Sequence, residues 1–234
     1  MTDRVKVVLV GESGVGKSCI IVRFVQNKFD PNTMTSSTNQ MVYQTIKLPD
    51  DKSVDIILWD TMGQERYRSV NKIYYKNAKV GILVYDVTDK KSFEAIKNYW
   101  YEQLKESGDK DIIICLVANK YDLYEKREVT NEEGEEFAKS IGAIFASTSA
   151  KNDSGIKSLF ENIGRKIIEP DFDFYAAEQK KREEYKKQKK KMKKEEDNNN
   201  NKADTNNTKN NNNSNKDNKI IKLNTKKEKK KKCC

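Results

Sequence analysis

Gly11-Glu12-Ser13-Gly14-Val15-Gly16-Lys17-Ser18 fits the pattern G-x-x-x-x-G-K-[ST], and its flanks place it where that pattern has chemical meaning. Val5-Lys6-Val7-Val8-Leu9-Val10 before it reads as a buried β-strand, and Cys19-Ile20-Ile21-Val22-Arg23-Phe24-Val25 after it reads as a helix. Glycines let a backbone wrap a phosphate with several N–H groups pointing inward. The helix start adds its positive dipole end. Lys17 can reach the β- and γ-phosphates of a nucleotide, and the Ser18 hydroxyl can ligate Mg²⁺. A glycine-rich turn arising by chance has no reason to stand between a strand and a helix.

Outward from this loop, apolar segments alternate with helical patterns through residue 169. Strands are expected over 4–10, 41–48, 53–59, 80–86, 111–118 and 143–147, and helices over 17–26, 66–76, 91–106, 131–140 and 154–168. Val80-Gly81-Ile82-Leu83-Val84-Tyr85 and Ile112-Ile113-Ile114-Cys115-Leu116-Val117 are apolar at every position, as strands covered on both faces by helices are. Residues 41–59 partly alternate around the turn Pro49-Asp50-Asp51-Lys52 and read as an edge hairpin. The pattern predicts an open α/β sheet, mostly parallel with one antiparallel edge strand. Ligands of such sheets bind at the carboxyl ends of the strands.

Charge is distributed unevenly along the 234 residues. Residues 171–234 hold 21 basic and 11 acidic side chains of the chain's 46 and 36, so the formal excess of +10 belongs to them and residues 1–170 balance at 25 of each. A basic pI then describes an appendage rather than a nucleic-acid-binding face, and no nucleic-acid partner is expected. Residues 176–194 are charged and compatible with a frayed basic helix, 198–215 are dominated by Asn, and 226–232 are nearly all Lys. Such sequence cannot offset the entropy of ordering, and 171–234 is expected to be disordered. Cys19 and Cys115 lie among apolar residues and read as buried thiols, while Cys233 and Cys234 follow the Lys run. With no His and no C-x-x-C pair, neither a zinc site nor a Cys–His nucleophile is expected. The first residues are charged and lead into a strand, and no signal peptide or apolar run of transmembrane length is read. The expectation is a soluble domain in a reducing compartment.

Two further segments address the base. Asp122 of Asn119-Lys120-Tyr121-Asp122, after the strand ending near Ala118, can accept hydrogen bonds from the guanine N1–H and 2-amino group. Adenine lacks that donor pair, and a site built to pair it rejects the wrong base by about 10⁴–10⁵. A backbone N–H of Ser149-Ala150-Lys151, after the next strand, can meet the guanine O6. Asp60-Thr61-Met62-Gly63-Gln64-Glu65 follows Ile56-Ile57-Leu58-Trp59. There Asp60 can hold Mg²⁺ through water, Gly63 can offer its N–H to a γ-phosphate, and Gln64 can orient an attacking water. Candidate nucleotide contacts are therefore Glu12, Ser13, Gly14, Val15, Gly16, Lys17, Ser18, Cys19, Asp60, Gly63, Asn119, Lys120, Asp122, Ser149, Ala150 and Lys151, with Gln64 and Lys17 as candidate catalytic groups.

The motifs G-E-S-G-V-G-K-S, W-D-T-M-G-Q-E-R-Y, I-Y-Y-K-N-A, L-V-Y-D-V-T, A-N-K-Y-D-L and T-S-A-K resemble those of Rab proteins, small GTPases of the Ras superfamily, over residues 4–169. The wording leans toward the endosomal branch. The resemblance implies a P-loop NTPase fold: a Ras-like six-stranded, mostly parallel sheet with one antiparallel edge strand and five flanking helices. It implies a GTPase domain over 1–170, a hypervariable tail over 171–234, GTP or GDP with Mg²⁺, and Phe29 packed against the guanine ring. Two departures stand out. Met62 replaces the family's usual Ala beside Gly63, where a bulky side chain can hinder closure on the γ-phosphate. In Thr35-Ser36-Ser37-Thr38-Asn39-Gln40 the Mg²⁺-ligating hydroxyl is Ser36 by ungapped spacing from Ser18 and Thr38 by residue type. A GTP-binding scaffold with impaired hydrolysis is therefore the second reading. A nuclear GTPase that uses its Lys runs for targeting is a third, and the Cys-Cys pair speaks against it.

By the same resemblance, Cys233 and Cys234 carry geranylgeranyl groups. Two chains plus a polybasic patch hold a membrane stably where a single modest chain does not. Expected partners are an exchange factor, a GTPase-activating protein, effectors, a Rab escort protein and a GDP-dissociation inhibitor. The expected state is a monomer on the cytoplasmic face of an endomembrane, cycling with the cytosol.

Overall fold

The computed structural model describes residues 4–30, 40–61, 74–189 and 192. The chain divides into two units, Met1–Phe174 and Tyr175–Cys234.

The first unit is built on six strands: β1 (Val5–Val10), β2 (Gln40–Lys47), β3 (Ser53–Asp60), β4 (Val80–Asp86), β5 (Ile113–Asn119) and β6 (Ile144–Ser147), in the order β2-β3-β1-β4-β5-β6. Only β2 and β3 pair antiparallel, with Met41 opposite Trp59. The uniformly apolar segments occupy the centre, and Val7 to Val10, Ile82 to Tyr85 and Cys115 to Val117 are fully buried. The parallel register brings Leu9 beside both Asp60 and Ile82, and Asp86 beside Asn119. The carboxyl ends of β1, β3, β4 and β5 therefore stand in one row.

Helices cover this sheet. α1 (Lys17–Gln26) stacks Phe24 on Phe160, whose helix is numbered α5 below, with ring centroids 3.6 Å apart. α2 (Lys90–Ala95) runs through a π-helical turn at Ile96–Trp100 into α3 (Tyr101–Ser107), with Trp100 fully buried. Asp89 caps the start of α2 by accepting from the Lys91 N–H. α4 (Asn131–Ser140) begins with a capping box in which the Thr130 hydroxyl accepts from the Glu133 N–H while the Glu133 carboxylate accepts from the Thr130 N–H. α5 (Ile156–Ile168) buries Leu159, Phe160 and Ile163. Of the helix expected over 66–76, Tyr74 and Tyr75 are helical, and 62–73 lies outside the described residues.

In the second unit the described residues 175–189 and 192 are helical. Straight-chain residues of good helix propensity fill it, and Gln179–Glu183 and Glu178–Lys181 pair at helical spacing. Among the described residues no helix is long and apolar enough to cross a membrane.

Candidate functional site

At the carboxyl end of β1 the backbone must turn sharply, and two glycines are required by close approach. A Cβ on Gly11, at φ +147°, would stand 2.2 Å from the Val84 carbonyl oxygen of β4. One on Gly16, at φ +98°, would stand 2.3 Å from Asn119 Nδ2. Gly16 also closes the first turn of α1 by accepting from the Ile20 N–H at 3.0 Å. Lys17 is only 5% exposed, and its Nζ donates to the Gly11 and Glu12 carbonyls at 2.8 Å each. Burial pushes its ammonium down to about 8, against the pull of the Asp60 and Glu12 carboxylates. The Glu12 side chain accepts from Trp100 Nε1 at 2.8 Å, which ties the loop to the π-helical turn.

Beside the loop, Ser18 Oγ donates to Asp60 Oδ2 at 2.6 Å. Asp60 is buried at the end of β3, and the neighbouring Thr61 hydroxyl donates to the Leu9 carbonyl. A hydroxyl and a carboxylate side by side are hard oxygen donors. They fit Mg²⁺, which takes one or two such protein ligands and fills its other positions with water and phosphate oxygens.

Farther along the same edge opens a pocket of about 350 Å³, lined by Gly14, Gly16, Cys19, Phe29, Asp30, Asn119, Lys120, Asp122, Leu123, Ala150 and Lys151. Asn119 is buried and serves as a tie: its Nδ2 donates to the Val15 carbonyl at 2.8 Å, and its Oδ1 accepts from Thr148 Oγ1 at 3.0 Å. Lys120 holds a left-handed backbone at φ 58° and pairs with Asp86 at 2.7 Å. Asp122 accepts from Ser149 Oγ at 2.6 Å. Ser149 is fixed in turn by the Asn152 N–H at 3.1 Å and by paired backbone bonds with Ser154 at 3.0 and 3.2 Å.

The fold thus gathers Lys17, Ser18 and Asp60 at one end of the edge and Phe29, Asn119, Lys120, Asp122, Ala150 and Lys151 at the other. Ser13 is exposed, Glu12 is half-buried, and Val15 and Ser149 are buried beneath the loops. Cys115 is a buried thiol as expected. Cys19 is not: it is half-buried and faces the pocket, because the first turn of α1 forms the pocket floor. Ser36, Thr38, Met62, Gly63, Gln64, Cys233 and Cys234 lie outside the described residues. Sequence reasoning overlooked Asp86, Thr148, Trp100 and Arg23. Asp86 had a signal, an acidic residue ending an apolar strand. Thr148 stood inside the motif T-S-A-K, while Trp100 and Arg23 act on loops distant in sequence and leave no local trace.

This fold and edge define a P-loop nucleotide-binding α/β domain. The chain matches the Ras family over residues 6–169. It is 42% identical over 164 residues to Ras-related protein SEC4 of Saccharomyces cerevisiae, covering 70% of this chain and 75% of that protein. It is 42% identical over 165 residues to human Ras-related protein Rab-21, covering 70% and 72%. To human Ras-related protein Rab-22A it is 39% identical over 166 residues, covering 71% and 84%. The chain belongs to the Ras family, among the Rab small GTPases, which are GTP hydrolases.

Proposed function

We propose that the chain is a GTP-hydrolysing switch of intracellular vesicle traffic that works on the cytoplasmic face of an endomembrane. The observation that supports it is the convergence on one sheet edge of a buried Lys17, the Ser18–Asp60 pair and the Asp122–Ser149 pair. In this reading Asp122 accepts from the guanine N1–H and 2-amino group, a backbone N–H of the 149–151 segment meets O6, and Phe29 covers the ring. Asn119 and Lys120 brace the loops that carry these contacts. The backbone from Glu12 to Cys19 wraps the phosphates, and Lys17 places its charge on them. Mg²⁺ when bound, held by Ser18, by Thr38 or Ser36, and by Asp60 through water, neutralises charge on the phosphate oxygens. Gln64 orients a water for in-line attack while Gly63 donates its N–H to the γ-phosphate. An activating protein adds on the order of 10³–10⁵ in rate to such a site. GTP orders both switch loops, the one with Ser36 and Thr38 and the one with Met62, Gly63 and Gln64; hydrolysis releases them, and effectors read the difference. An exchange factor resets the cycle, and an escort protein and a GDP-dissociation inhibitor handle the lipidated Cys233 and Cys234.

The second reading, a GTP-binding scaffold, is favoured by Met62, where the family's usual residue is Ala. Single-turnover hydrolysis of GTP by the full chain in magnesium buffer separates the two. A switch shows turnover that Gln64→Leu slows at least about tenfold with little loss of binding, because the water loses its orienting partner. A large gain in Met62→Ala over a nearly inert wild type supports the scaffold. No uptake of GDP or GTP by the stripped protein removes both.

A further inference from the structure

Arg23 stands half-buried on α1, and its side chain reaches two segments at once. Nε donates to the Ala150 carbonyl at 2.7 Å and Nη2 to the Lys151 carbonyl at 3.2 Å. Nη1 donates to both the carbonyl and the Oδ1 of Asn27, each at 3.1 Å. Asn27 ends α1 in a left-handed conformation, φ 52°, with its own N–H on the Arg23 carbonyl at 3.0 Å. Two residues beyond Asn27 comes Phe29, and Phe29, Ala150 and Lys151 all line the pocket.

We propose that Arg23 is a specificity-determining positioning residue, whose single guanidinium sets both the base loop and the turn that delivers Phe29. The inference rests on the guanine reading of the pocket. A planar trans peptide points its C=O and the following N–H in opposite directions. Drawing the Ala150 carbonyl onto Arg23 therefore turns the Lys151 N–H away from α1, and the second carbonyl contact fixes the next plane as well. The backbone donors of this loop are then aimed before any base binds. Only a rigid fork of several donors can do this, since an ammonium is a single point of charge.

The test uses the full chain, with release of a fluorescent GDP analogue and competition by GDP, by 6-thioguanosine diphosphate and by inosine diphosphate. The thio analogue alters only the 6-position, which faces the loop. Inosine lacks only the 2-amino group, which faces Asp122. For Arg23→Gln, loss of these charged hydrogen bonds should speed GDP release about tenfold. The preference for GDP over the thio analogue should fall toward unity, while the preference over inosine diphosphate keeps its wild-type value. Arg23→Lys should fall between, and it carries the test if the Gln variant does not fold. Wild type that binds the thio analogue as tightly as GDP would overturn the base-loop reading and the inference with it. Wild type that discriminates, with variants that keep both preferences, would overturn the inference alone, whether or not release quickens.

Discussion

Lys17 carries a positive charge into a place that is 5% exposed, held there by two backbone carbonyls. Burial lowers its pKa from 10.5 to about 8, so the folded protein prefers the neutral amine more than the unfolded chain does. The sign follows from linkage. Below pH 8 both states hold the proton and the burial penalty is in force; between 8 and 10.5 only the unfolded chain holds it, so stability rises with pH. Phosphate binding reverses this by demanding the charged form. GDP affinity should therefore fall above pH 8 by up to about tenfold per unit. Titration calorimetry of the stripped protein from pH 7 to 9 checks it, with proton uptake growing across the range, and a flat profile would contradict it. Asp122 offers a second prediction. Asp122→Asn should weaken GDP binding about tenfold to a hundredfold through loss of charged hydrogen bonds, and should shift preference toward xanthine nucleotides. Unchanged GDP affinity in the same calorimeter would refute the base assignment.

At the level of elements, the helix from 90 to 107 is seated by one residue. A Cβ on Gly81 in β4 would lie 2.1 Å from Leu104 Cδ2, so the absence of a side chain there sets how closely α3 approaches the sheet. The same helix carries Trp100, whose indole holds Glu12 of the phosphate loop. Gly81→Ala is expected to cost about 1–3 kcal/mol by overpacking. It should also quicken GDP release, since a displaced helix pulls on Glu12. Thermal melts and nucleotide release measure the two effects, and a melt unchanged from wild type would show that Leu104 repacks freely.

Considered whole, the chain joins an electrically balanced segment, 1–170, to a basic one that carries the entire formal excess of +10. Lys229-Lys230-Lys231-Lys232 stand immediately before the two cysteines proposed to be lipidated. On anionic vesicles each nearby Lys adds about 1 kcal/mol of attraction, and salt screens it. Protein isolated from cells should show two geranylgeranyl additions by mass spectrometry and should bind phosphatidylserine vesicles less as salt rises. Unmodified Cys233 and Cys234 would end the membrane reading.

The sheet, its antiparallel edge and the family were legible before any coordinates, because strands buried on both faces are continuously apolar and because G-x-x-x-x-G-K-[ST], N-x-x-D and S-A-K are short, local demands of phosphate and base. Cys19 shows where local reading stops: apolar neighbours in sequence suggested a buried thiol, yet the helix turns it toward the pocket. Arg23 reaching Ala150, Trp100 reaching Glu12 and Asn119 reaching Val15 span 127, 88 and 104 positions. Sequence alone named the candidate binding groups along this edge, since most of them sit beside a strand end. Tertiary structure alone decided what holds those groups still, because bracing hydrogen bonds join whichever segments the parallel register happens to bring together.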